Sequence, residues 1–181
     1  MTRLLTYLCQ GSGYLWSIIK RYKDMNTQGI VSKGDFLKNW QGHRTLTRRT
    51  IEKFPEHDLF NFSIGGMRPF SDMVKEMLTI AVPGLESIVS NVIEKYNHDL
   101  PLATKAELLE RWDADTIKID ALFEQISIER FQENFKIFGE YEFPVVENIQ
   151  YFIDNEVHHR AQGYVYLRAL GIEPPFFWER Y

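Results

Sequence analysis

The sequence predicts an all-α fold, and three observations carry that reading. Glycine and proline are scarce, at 11 and 7 of 181 residues. Runs of β-branched residues are rare, which removes the usual strand signal. Four stretches repeat apolar residues every three to four positions, the spacing of a helix with one buried face. At 181 residues the chain fits one domain and can close a core without covalent staples. Its single cysteine, Cys9, excludes an intramolecular disulfide and a cysteine-built zinc site. A net charge of −4, with Lys and Arg spread thinly, argues against a nucleic-acid partner, which needs a basic face to displace counterions. No run approaches the roughly 20 apolar residues of a membrane span, so a cytoplasmic protein with no membrane partner is expected.

Residues 1–31 are read as an N-terminal extension. Residues 4–19 are apolar and follow Arg3, as in a secretory leader, but Gln10-Gly11-Ser12-Gly13 interrupts them and no Ala-x-Ala cleavage pattern follows. The expectation is an extension or short docking helix ahead of a natural start at Met25.

The first helix is predicted over residues 35–54, with Asp35 at its cap and Pro55 ending it. Phe36, Trp40, His43, Thr47, Ile51 and Phe54 form its stripe. His43 lies on that stripe and is read as a core histidine bonded to a neighbouring helix, ahead of any functional role. Residues 56–67 read as a loop in which Gly65-Gly66 suits a turn. Pro69 is a good first-turn residue for a second helix, expected to reach residue 97. Pro83-Gly84 should kink or break it, after which Leu85, Ile88, Val92, Ile93 and Tyr96 restore the period. Glu76 sits on the flank of this helix's apolar stripe, which suits a solvated edge position or a ligand.

Thr104 with Glu107 three residues on is a capping-box pattern, and opens a third helix through Leu108, Trp112, Ile119, Phe123 and Ile126. Residues 127–144 form an aromatic-rich link, too apolar for a free loop and expected to pack along the domain. The fourth helix covers residues 145–170 and stops at Gly171. The proline-containing tail cannot be helical, and its Phe176-Phe177-Trp178 run is expected to lie down on the domain.

Chemistry-capable side chains are densest on the fourth helix, in Asn155-Glu156-Val157-His158-His159-Arg160-Ala161-Gln162. Positions four apart share a helix face, which pairs Asp154 with His158 and Asn155 with His159. Glu156 and His159, three apart, share one as well. A histidine with a carboxylate one turn away is a normal half of a metal site in a helical bundle, completed from a facing helix. The competing reading is a set of solvated neighbours.

This segment, followed by Tyr166-Leu167-Arg168-Ala169-Leu170-Gly171, resembles the fourth-helix signature of the DinB-like family, His-Glu-x-His-His-Arg-Gly-Gln and then Leu-Arg-x-Leu-Gly. Gly66-Met67-Arg68-Pro69-Phe70-Ser71-Asp72 resembles the start of that family's second helix, and Pro174-Pro175-Phe176-Phe177-Trp178 its tail. The resemblance covers about residues 32–181. It implies a four-helix bundle of the DinB/YfiT-like type, in which one histidine of the second helix and two of the fourth, four apart, hold a divalent metal. It also implies activities such as thiol-dependent transfer, with bacillithiol, mycothiol or glutathione as a low-molecular-weight thiol.

The match changes at the ligand positions. The second-helix position falls on Glu76 and the first fourth-helix position on Asn155; only His159 keeps an imidazole. An amide oxygen is a poor donor to zinc or nickel, whereas a carboxylate suits several metals. His158 points about 100° away from His159 and cannot replace it directly. A harder set of Glu76, Glu156 and His159 would suit manganese, iron or magnesium. Two functions are compatible with these residues. One is a metal-dependent transferase or hydrolase acting on a small-molecule substrate, with the metal held among Glu76, Asn155, Glu156 and His159 and with His158 as a proton relay. The other is a non-catalytic bundle with a degenerate metal site, acting as a homodimer or as a small-molecule binder.

Overall fold

The computed structural model describes residues 30–181, and the expected extension lies outside the described residues except for Ile30 and Val31. Five helices, one 3-10 turn and one small hairpin make up the described chain: α1 (Lys33–Lys53), α2 (Glu56–Asn61), α3 (Phe70–Ser90), α4 (Lys105–Gln125), the turn Arg130–Gln132, β1 (Asn134–Ile137), β2 (Tyr141–Pro144) and α5 (Val145–Ala169). The all-helical class holds. The expected aromatic-rich link contains this hairpin, which the sequence reading did not anticipate, and α2 corrects the expectation of a loop after Pro55. The chain divides into two units between Phe36 and Leu37, inside α1, and the core and the candidate site belong to the second, Leu37–Tyr181.

Local chemistry accounts for the helix ends. At the start of α1 the cap is Ser32, whose hydroxyl accepts from the Asp35 backbone N–H at 3.1 Å, so Asp35 stands three residues inside the end. The α4 capping box forms as its sequence predicts, with the Glu107 N–H on the Thr104 hydroxyl and the Glu107 carboxylate on the Thr104 N–H. Helix α3 runs through Pro83 without a break and ends earlier than expected, at Asn91 in the left-handed conformation. Val92 and Ile93, expected on its buried face, are half exposed. Helix α5 closes in a Schellman arrangement, with Ile172 N–H on Leu167 C=O and Gly171 N–H on Arg168 C=O, Gly171 taking φ 76°.

The core is apolar and aromatic: Trp40, Ile51 and Phe54 from α1, Phe70, Met73, Met77 and Leu85 from α3, Trp112 and Phe123 from α4, and Phe152 and Tyr166 from α5. Helices α3 and α5 run antiparallel in very close contact. A Cβ on Gly84 of α3 would lie 2.4 Å from the Phe152 ring, and one on Gly163 of α5 would lie 2.5 Å from the Phe70 ring. The tail docks through Pro174 and Pro175, which are buried. Its Phe177 and Trp178 stay 67% and 63% exposed, contrary to the expectation that they lie down.

Gly163→Ala should cost about 1–3 kcal/mol, the usual range for overpacking a filled core, because the Phe70 ring it meets is itself stacked on Phe54 at 4.9 Å. Urea unfolding measures it. A loss below about 0.5 kcal/mol, typical of an indifferent surface site, would show that the ring yields freely.

Candidate functional site

The α3–α5 contact brings three of the sequence-predicted positions to one point. Glu76 Oε1 lies 3.0 Å from His159 Nε2 and accepts a hydrogen bond from Asn155 Nδ2 at 3.1 Å. Its other oxygen, Oε2, is held by the Arg68 guanidinium at 2.6 Å. Arg68 precedes α3, and its own C=O accepts from the Tyr166 hydroxyl of α5 at 3.0 Å, which fixes the stretch of chain that delivers it. Burial pushes the Glu76 carboxyl up, but the hydrogen bonds from His159, Arg68 and Asn155 outweigh this and bring it down to about 2. Gln162 stands between the two histidines, with Oε1 2.9 Å from His159 Nδ1 and Nε2 3.3 Å from His158 Nε2. His158 is exposed and makes no contact with Glu76. Asp154, expected to pair with His158, accepts instead from Gln150 at 2.9 Å.

Glu156 is not part of this cluster. It lies on the α1 side of α5, buried, with Thr47 Oγ1 2.6 Å from its Oε1. Arg160 Nη1 stands 3.8 Å from the same oxygen, and Arg44 Nη1 lies 4.0 Å from Oε2. Burial pushes this carboxyl up against the pull of Arg44, Thr47 and Arg160. The set of Glu76, Glu156 and His159 is therefore split between the two faces of α5, with α3 covering one and α1 the other. Arg44 belongs wholly to the structure: it donates to Trp112 C=O at 3.0 Å and lies over the Trp112 ring, 3.4 Å from its centroid. His43 is a packed histidine, as its position on the stripe suggests. Arg160 Nη2 and Arg180 Nη1 approach its two ring nitrogens at 3.0 and 2.9 Å. Burial, then the charges of Arg160 and Arg180, lower its pKa to about 4 against the weaker pull of Asp154.

The family model described as the DinB family matches residues 25–180. The chain belongs to the DinB family. Two solved structures share the fold. A DinB-like protein from Bacillus cereus superposes with a TM-score of 0.65 at 17% identity, over 79% of this chain and 95% of that one. A DinB-like protein from Bacillus subtilis does so with a TM-score of 0.63 at 19% identity, over 78% of this chain and 96% of that one. No curated protein is similar enough in sequence to match. At such identities the likeness establishes the fold alone.

The residues at the DinB ligand positions do not fit the three-imidazole metal site that the resemblance implies. They supply one imidazole, one amide and one carboxylate, and the carboxylate is already neutralised by a guanidinium whose fixed charge would repel a dication. Both ring nitrogens of His159 have partners. Among the described residues no three His, Cys, Asp or Glu side chains group closely enough to hold a metal. Arg68 is the site residue that sequence reasoning missed as a participant. It lies ahead of the helix, where periodicity assigns no face, and only its place beside Pro69-Phe70 in the family motif marks it.

Two outcomes test this division of the carboxylates. Glu156→Leu should destabilise the fold by about 3–5 kcal/mol, since it strands two buried guanidinium groups, while Glu76→Gln should leave a folded protein; chemical denaturation compares them. Stability should also fall as pH drops from about 6.5, the unfolded histidine value, to about 4, because the unfolded chain takes up a proton there that native His43 refuses. His43→Asn should flatten that slope. A slope unchanged by the substitution would assign the acid sensitivity elsewhere.

Proposed function

We propose that this chain is a non-catalytic DinB bundle in which a closed polar cluster takes the place of the family's metal, and which binds a small molecule at the mouth of the bundle. The observation that carries the reading is the Arg68–Glu76 contact at 2.6 Å. With Arg68 on one oxygen and His159 and Asn155 on the other, the Glu76 carboxylate has its charge and its lone pairs satisfied from within the protein. A metal entering there would have to displace a charge-assisted bond and be held by an amide, a weak donor for zinc or nickel. Support for binding comes from a pocket of about 320 Å³ bordered by Glu76, at the low end of the usual ligand-site range. The homodimer has its candidate surface in the exposed Phe176, Phe177 and Trp178, where Phe176 and Trp178 stack at 4.9 Å. No helix among the described residues is long and apolar enough to cross a membrane, which leaves the cytoplasmic reading standing as part of the proposal.

A second reading, a metal-dependent transferase or hydrolase, is favoured by one atom. Asn155 Oδ1 is buried beside Glu76 and has no hydrogen-bond partner. It is a hard oxygen donor of the kind manganese, magnesium or iron accepts. Elemental analysis of untagged protein after incubation with zinc, nickel and manganese separates the two. The proposed reading expects no stoichiometric uptake by the parent, and tight zinc or nickel binding by the double variant Glu76→His with Asn155→His, which restores three imidazoles at converging positions. Near-stoichiometric metal on the parent would overturn it in favour of the enzyme.

A further inference from the structure

The pocket beside Glu76 has an unusual wall. Two carboxylates, Glu76 and Glu140, and four aromatic rings, Tyr96, Phe138, Tyr141 and Tyr151, border it, and no Lys or Arg among the described residues does. The ring positions are constrained. The Tyr96 hydroxyl lies 3.0 Å from Thr79 Oγ1, and its ring centroid stands 5.2 Å from Phe138 and 3.9 Å from His98. Burial pushes the Tyr96 and Tyr151 phenols up, and at Tyr96 the hydrogen bond with Thr79 and the Arg68 charge oppose it. Arg68 covers Glu76 on Oε2, while Glu140 stands exposed on the rim.

The turn that presents Phe138 is strained. Glu140 N–H bonds Ile137 C=O at 3.1 Å, and both intervening residues have positive φ, 53° for Phe138 and 78° for Gly139. Asn, Asp or Gly normally fills the first of these positions, because a bulky side chain crowds the backbone there. A phenylalanine in that conformation sacrifices local stability to place a ring, and this ring packs against Tyr96 at the pocket wall. Strain held in such a place is the pattern expected of a ligand clamp.

We propose that this pocket binds an organic ammonium ion, with Glu140 as its counter-charge and the rings of Tyr96, Phe138, Tyr141 and Tyr151 around it. Ring faces are negative and attract a cation, most strongly one that sheds its water easily. A substituted ammonium does so and also fills an apolar wall, whereas a hydrated metal ion does neither. The assignment rests on the small-molecule-binding reading above and supplies its ligand class.

The test is titration of the full chain with choline and with its uncharged tert-butyl analogue, in which carbon replaces nitrogen, followed by calorimetry or by NMR of the tyrosine rings. Choline should saturate the pocket about tenfold more tightly than the analogue, the scale of a cation–π preference in a partly desolvated site. Glu140→Gln should weaken choline a few-fold and leave the analogue unchanged. Phe138→Gly should hold or raise the melting temperature, since it relieves the backbone, and should weaken choline about tenfold. A merely structural phenylalanine would give the opposite melting shift. Equal binding of choline and analogue would overturn the ammonium assignment while leaving a small-molecule binder in place. Binding of neither would overturn the assignment too, and the metal analysis of the parent then decides the reading beneath it.

Discussion

The close approach of α3 and α5 is the constraint on which the rest depends. Two glycines permit it: Gly84 lets Phe152 of α5 lie on α3, and Gly163 lets Phe70 of α3 lie on α5. Together they set an antiparallel register with Phe70 opposite residue 163 and Phe152 opposite residue 84. Between those two contacts Glu76 faces Asn155 and His159 at hydrogen-bond distance. The polar cluster is thus a consequence of backbone proximity. Side chains one size larger at either glycine would open the seam and leave a half-buried carboxylate with fewer donors, a costly arrangement in low dielectric.

Helix α5 therefore serves two environments with one short run of sequence. Asn155 and His159 turn to α3, while Glu156 and Arg160 turn to α1, where Thr47, Arg44 and His43 meet them. The two acids consequently behave in opposite ways. Glu76, with three donors on it and partial access to solvent, is held ionised well below the normal range; Glu156, sealed among hydroxyl and guanidinium groups, is pushed up by burial. Glu76 also borders a pocket. A carboxylate on a helix beside a histidine is not thereby part of the same site, since the neighbouring helix determines which groups each meets.

Much of this was legible in the sequence, and the failures have physical causes. The capping box at Thr104 and the glycine stop at Gly171 are local chemistry and form as expected. The convergence of Glu76 with Asn155 and His159 was legible through family motif positions, which carry tertiary information that spacing lacks. Glu156 was misplaced because a 60° difference around a helix is too small for periodicity to assign to one neighbour or another. The hairpin was missed although Asn134 and Lys136 alternate with buried Phe135 and Ile137. Its turn carries Phe-Gly where Asn-Gly would have announced it. The tail failed for another reason: consecutive aromatics suggest burial, yet the two prolines before them and the chain end after them do the docking.

That misleading turn and the altered ligand positions bear on one another. Within a family implied to bind metal, losing two imidazoles should leave a buried carboxylate with nothing to neutralise it, and such a residue would be destabilising. Here Arg68 supplies the compensation from outside the helix, and Asn155 turns an amide donor toward the same acid. The cluster is thereby consistent in charge without a metal. Its strongest polar group still borders a cavity, beside rings held in place by a backbone conformation that phenylalanine adopts only under constraint. The Phe138 ring, beside Tyr96 and the exposed Glu140, is placed where a cationic ligand would use it.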